Sequence, residues 1–316
     1  MSRKLSSVFA TAALMSSTAL ADVPNVAVDI APVHSLVARV MQDVGAPDLI
    51  IRSGASPHDY RLRPSEAKAL QDANLVIWMG KELTPWMEDA VKTLSTEAAI
   101  LTLLEKDETT LLEFRESVLF EEHDHDNHSD EDHAETEDQD HDEHAHGAHD
   151  PHAWLSPKNA KIWLNLIAAQ LSTADPDNAS TYFVNAAAAV TEIDTLMADV
   201  STMLDPIRGN SFIVFHDAYQ YFETVFEFPA SGAISLGDAT DPSPARIARV
   251  QDRIQEQKIQ CVLAEPQFKK GLVVTVLEGT DAKTSIIDPL GDALEPGPAL
   301  YPQLIRNMAK TLVDCF

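Results

Sequence analysis

The sequence predicts an α/β fold: two lobes with parallel-type sheets covered by helices, joined by one long backbone helix, and a metal site in the cleft. Three observations carry this expectation. Short apolar runs alternate with helical patterns in both halves of the chain, as in parallel sheets whose crossovers are helices. One uninterrupted helical pattern, Pro176–Leu204, separates the halves. His216 directly follows a strand pattern, outside the carboxyl end, where open α/β sheets place ligand groups.

The N-terminus sets the compartment. Arg3 and Lys4 precede an apolar stretch from Leu5 to Met15, and Ala19-Leu20-Ala21 forms a small-x-small cleavage signal. Residues 1–21 are therefore expected to be a signal peptide, cleaved after Ala21, that delivers the mature chain to the periplasm. The apolar run is too short to span a bilayer, and no cysteine near the cleavage site offers a lipid anchor.

An N-terminal lobe is expected over 22–175. Strand patterns at Val26–Ile30, Asp48–Arg52 and Leu75–Met79 alternate with helical patterns at Val33–Val44, Pro64–Ala73 and Pro85–Leu94, and a further helix is expected over Pro157–Leu171. Pro64 at an early helical position costs little, because its missing N–H would have no intrahelical partner there. In the linking helix, 176–204, Ala186, Val190, Ile193, Met197, Val200 and Leu204 recur at spacings of four and three, which places them on one face. The C-terminal lobe, 205–316, carries strand patterns at Phe212–Phe215, Ala233–Ser235, Val262–Ala264 and Ser285–Ile287. Helices are expected at Pro244–Gln255, Lys269–Leu277 and Pro302–Val313.

The net charge is −27. Residues 121–150 hold fourteen Asp and Glu and no Lys or Arg, about half of that excess. A balance this acidic excludes nucleic acid as a partner, since phosphates require a basic face. The tract also lacks the apolar residues that would offset its ordering entropy, so a mobile insertion is expected. Cys261 and Cys315 are the only cysteines. An oxidising compartment permits them to pair, two buried free thiols being the alternative; either way they read as structural.

Eight of the twelve histidines lie in the acidic insertion: His123, His125, His128, His133, His141, His144, His146 and His149. Neutral imidazole is the commonest metal ligand. The His-x-His and His-x-x-His spacings in a flexible chain point to weak, exchangeable auxiliary metal sites. Four histidines remain. His34 sits in an amphipathic helix pattern and reads as a helix residue. His58 lies in a loop between a strand and the Pro64 helix, His152 where regular structure resumes, and His216 at a strand end. Asp288 follows the last strand pattern, before Pro289-Leu290-Gly291.

Taken together, GASPHDYRLRPSEAKALQDANLVIWMG, DPHAWLSPKNAK, FIVFHDAYQYF, VLAEPQF and DPLG resemble the ZnuA-like zinc receptors of bacterial ABC importers, within a wider zinc and manganese solute-binding family. The resemblance covers nearly the whole mature chain. It implies a high-affinity receptor that captures Zn2+ in the periplasm and delivers it to a cognate ABC permease. It also implies metal ligands His58 and His152 from the first lobe and His216 from the second, and a Cys261–Cys315 disulfide. Manganese receptors of this family look similar but carry a carboxylate at the position of His216, and three imidazoles suit zinc better. Where some zinc receptors have Glu before the first His, this chain has Pro57; Asp288 or water is then the candidate fourth ligand. A metal buffer or adhesion-type metal-binding protein is the alternative. A zinc hydrolase is a remote third, because no hydrolase motif accompanies the histidines. No enzyme activity and a monomer are expected.

Overall fold

The computed structural model describes residues 23–115, 117, 119–120, 149–235, 237, 242–267 and 270–316. The expected signal segment, 1–21, and the histidines from His123 to His146 lie outside the described residues.

The chain forms β1 (Val26–Val28), α1 (Ala31–Val40), β2 (Asp48–Leu49), α2 (Pro64–Asp72), β3 (Leu75–Trp78), α3 (Pro85–Leu94) and β4 (Ala99–Thr102). Next come α4 (Pro157–Ala174) and α5 (Ala179–Leu204). The second half comprises β5 (Phe212–His216), α6 (Gln220–Phe226), β6 (Ala233–Ser235), α7 (Pro244–Glu256), β7 (Cys261–Ala264), α8 (Lys270–Leu277), β8 (Lys283–Ile286) and α9 (Leu300–Cys315). Two four-stranded sheets result, ordered β2-β1-β3-β4 and β6-β5-β7-β8. Every strand pair in them is parallel.

Local chemistry starts these elements. α1, α2, α3, α4 and α7 all have Pro in the first turn, where its fixed φ suits a helix and no bond is lost. Ser156 and Ser243 cap α4 and α7 by accepting from the backbone N–H groups of Asn159 and Arg246. β3 is buried at every residue and flanked by β1 and β4, so its side chains form an unbroken apolar run.

α5 spans 26 residues, about 39 Å at 1.5 Å per residue. Its first turn, Pro176–Asn178, is 3₁₀. The buried face is Tyr182, Ala186, Ala189, Ile193, Leu196, Val200 and Leu204. The expected stripe is thus rotated slightly: Val190 and Met197 are only half-buried, and Ala189 and Leu196 take their place. α5 packs against α1, α4 and α9, and one apolar cluster runs from Val26 and Ile77 through α5 to Leu263 and Leu312. The linking helix is therefore bedded in a core shared by both sheets.

Cys261, which opens β7, is disulfide-bonded to Cys315 at the end of α9, tying the helix to the sheet end remote from His216. Among the described residues no helix is long and apolar enough to cross a membrane.

Candidate metal centre

The two sheets meet at their carboxyl ends. In the second sheet, β5 and β7 are adjacent, yet β5 leads through α6 to β6 on one side and β7 leads through α8 to β8 on the other. The order of strand succession reverses between them, the place where open α/β sheets bind ligands. His216 ends β5, and Glu265 follows β7 across that gap.

His58, His152 and His216 converge there. One side-chain nitrogen from each lies within 4.8 Å of the others, and the ring centroids of His152 stand 5.4 Å from His58 and 5.2 Å from His216. His152 and His216 are buried, and His58 is partly exposed. The cavity they share with Ser56, Trp154, Glu265 and Leu290 has a volume of about 20 Å³, enough for roughly one water-sized group.

Carboxylates set which nitrogens face inward. Asp150 Oδ1 accepts the backbone N–H of His152 at 2.9 Å and its ring Nδ1–H at 2.6 Å. Glu265 Oε1 accepts the same two groups of His216 at 3.4 and 2.6 Å. With protons assigned to Nδ1 by these bonds, both Nε2 atoms carry lone pairs, and they stand 3.4 Å apart. Two bare lone pairs at that distance repel, and a shared cation converts the repulsion into attraction. Nitrogens bound to zinc at about 2.0–2.1 Å in a tetrahedron are roughly 3.3–3.4 Å apart, so the spacing fits that geometry. Burial lowers the His152 pKa below its ordinary value, opposed by the Asp150 carboxylate.

Each histidine is held from behind. Trp154, in the 3₁₀ turn Ala153–Leu155 just after His152, donates its indole N–H to the Pro289 carbonyl at 2.8 Å. Tyr301 donates its hydroxyl to the Trp154 carbonyl at 2.9 Å. Tyr221 donates to the Asp150 carbonyl at 2.7 Å, and the Asp150 N–H donates to Leu112 at 2.9 Å. On the His58 loop, Trp86 donates to the Pro57 carbonyl at 2.8 Å. Behind His216, Arg115 pairs with Glu223 at 2.7 Å and Asp217 at 3.4 Å. Burial still pushes Asp217 up to about 7.

Asp288 is not part of the group formed by the three histidines: Oδ1 accepts the N–H groups of Leu290 at 3.0 Å and Gly291 at 2.9 Å, and Oδ2 that of Asp292 at 2.6 Å. A short carboxylate after a strand caps the following turn when three amides point at it. His149 is the one loop histidine among the described residues; it forms a backbone bridge with Glu113, and Asp150 is anchored as described. His34 lies apart from the cluster, buried in α1, and donates from Nε2 to the Pro47 carbonyl at 3.0 Å. The partnering roles of Asp150 and Glu265 were absent from the sequence reading. The Asp-x-His spacing of Asp150 and His152 was the one signal that could have suggested the first, whereas nothing local marks Glu265, 49 residues from His216.

Fold and site together define a solute-binding protein of the helix-joined type, with a histidine cluster that could hold a metal ion. The chain belongs to the ZnuA family: the family model described as zinc-uptake complex component A, periplasmic, matches residues 26–315. The chain is similar to the high-affinity zinc uptake system protein ZnuA of Paracoccus denitrificans, 47% identical over 317 residues that cover 98% of this chain and 96% of that protein. The ZnuA of Brucella abortus is 44% identical over 304 residues, covering 92% and 91%. A crystal structure of a ZnuA superposes with a TM-score of 0.74 at 21% identity, covering 93% of this chain and 99% of that one; that likeness is one of fold. The family provides the periplasmic receptors of ABC zinc importers, which work with a membrane permease.

Proposed function

We propose that this chain captures Zn2+ in the periplasm and hands it to the permease of its ABC importer, with His58, His152 and His216 as protein ligands. The observation that carries this reading is the pair of Nε2 atoms at 3.4 Å, each opposite an Nδ1 committed to a carboxylate. Carboxylate-backed histidines are the usual way proteins orient metal ligands. Asp288 already accepts three amides of its own turn, which favours water at the fourth position, and an exchangeable ligand suits release. No hydrolase motif accompanies the histidines, which disfavours a hydrolase.

In this reading the signal peptide is cleaved after Ala21, the mature chain acts as a monomer, lobes 22–175 and 205–316 flank the linking helix 176–204, and His123 through His149 supply weak auxiliary sites. Calorimetry on the mature protein tests it. Zinc should bind tightly at one site, and removal of 124–148 should lower total capacity while leaving that site intact. Loss of the tight site on that deletion would assign an obligatory ligand to the tract.

A further inference from the structure

We propose that Asp292 is a positioning residue that latches the His58 loop to the second lobe and sets how fast the metal leaves. The inference rests on the proposed role of His58 as a ligand.

The turn that follows β8 spans the cleft. Asp288 folds it by accepting three successive amides, those of Leu290, Gly291 and Asp292. Gly291 has φ +77°, and a Cβ there would press on Leu300 and Leu294 at 3.3–3.4 Å, so the turn has one compact form. Its Pro289 carbonyl is held by Trp154 of the first lobe, beside His152. Asp292 projects from its end and makes two bonds in opposite directions. Oδ1 accepts the Gly54 N–H of the first lobe at 2.8 Å, and Oδ2 accepts the Gln267 side-chain amide of the second at 2.6 Å.

Gly54 lies four residues before His58, at φ +82°, a conformation that side chains disfavour. The loop is pinned to its own lobe at Pro57 by Trp86. Asp292 is thus its tie across the cleft just upstream of the ligand. His58 is also the most exposed of the three histidines, so it is the one through which metal exits when its loop lifts. With the latch made, lifting His58 requires breaking a hydrogen bond to a carboxylate. Without it, that tie across the cleft is lost. Differences of this kind act mainly on dissociation rates.

The test uses the full mature chain loaded with one equivalent of zinc, with release followed after mixing with excess chelator. Asp292→Ala removes both bonds and should speed release by about five- to tenfold, with a smaller proportional loss of stability in the zinc-free protein. Asp292→Asn keeps an oxygen for Gly54 and, once the Gln267 amide turns over, a donor for its carbonyl, so it should restore slow release. Wild-type release from Asp292→Ala would overturn the latch. So would equal acceleration by both variants, which would make charge the cause, or a matching loss of zinc-free stability, which would make the role structural. His58→Ala is the separate control: if it releases zinc like the wild type, the ligand assignment fails, whatever Asp292 does.

Discussion

Glu265 Oε1 receives both the backbone N–H and the ring Nδ1–H of His216, at 3.4 and 2.6 Å. One oxygen therefore sets the ring's tautomer and its orientation relative to the end of β5. The carboxylate charge also raises the basicity of Nε2, and hence its strength as a ligand. Glu265→Gln keeps an acceptor but loses the charge, and Glu265→Ala loses both. Zinc affinity, measured by chelator competition, should fall about 10-fold for the first and towards 100-fold for the second. Asp150→Asn should behave like Glu265→Gln, because Asp150 serves His152 through the same two bonds. Unchanged affinity in both carboxamide variants would remove the carboxylates from the metal site's function.

Substituting the proposed ligands separates cleft from core. His58→Ala, His152→Ala and His216→Ala should each weaken zinc by more than the roughly 10–100-fold expected of an outer partner. His34→Ala should leave zinc affinity intact and lower stability by about 1–2 kcal/mol, since it deletes a buried hydrogen bond to Pro47. Titrations of the four variants, beside their thermal melts, read both quantities. A His216→Ala variant that binds like the wild type would rule out the three-histidine site.

Much of this was legible in the sequence, for physical reasons. Buried parallel strands such as β3 read as apolar runs, and a proline in the first turn marks where several helices begin. β4 escaped because Ala99 and Ile100 are exposed at the sheet edge, which leaves only two buried residues and no periodicity. α6 escaped because its seven residues, Gln220–Phe226, make only about two turns, too few to set up a helical periodicity. The three histidines stood out by motif, whereas their carboxylate partners depend on register between strands distant in sequence. Asp288 is ambiguous in sequence because its position after a strand fits a ligand and a turn cap equally well.

The disulfide should matter for stability and leave the metal alone. Cys261 and Cys315 are 54 residues apart, and opening a loop of that size costs about 4 kcal/mol in the chain-entropy model. Cys261 opens β7 and Glu265 follows it, a separation of about 13 Å along an extended strand. A Cys261→Ser/Cys315→Ser variant should unfold at lower denaturant concentration, with zinc affinity within about twofold of wild type. A large affinity loss would show that the bridge sets the register of β7 at the site.

Stability should also depend on Asp29, which follows β1 at the switch point of the first sheet, as His216 does in the second. Its Oδ1 and Oδ2 accept the Ile30 and Met79 N–H groups at 2.8 and 2.7 Å, yet complete burial raises its pKa from 3.8 to about 7. Between these values the unfolded chain has lost the proton and the folded one keeps it. The folded state therefore binds more protons, and this residue's contribution to stability falls as pH rises from about 4 to about 7. Asp29→Asn removes that titration. The stability difference between wild type and Asp29→Asn, from denaturant melts of the zinc-free proteins, should shift against the wild type across this window. A difference independent of pH would mean that the two N–H bonds keep Asp29 ionised throughout.

Zinc should order the cleft without swinging a lobe. Wide hinge closure would need α5 to bend, and kinks arise at Pro, Gly or inserted groups, none of which interrupts Ala179–Leu204. Bending would also shear α5 from α1, α4 and α9, whose side chains share its core. Tyr301 adds a polar brace across the same boundary, with its N–H donating to Ser35 at 2.9 Å and its hydroxyl to the Trp154 carbonyl at 2.9 Å. Both bonds are buried, so breaking them without replacement would cost about 1–3 kcal/mol for each stranded group. The parts free to respond are the His58 loop and the turn bearing Asp292, which meet through one partly exposed carboxylate. Scattering from the chain lacking 124–148 should give the same radius of gyration with and without zinc, while amide exchange slows around Gly54 and His58. A contraction of the size seen in hinge-closing receptors would show that α5 yields, and that the shared core is weaker than its packing implies.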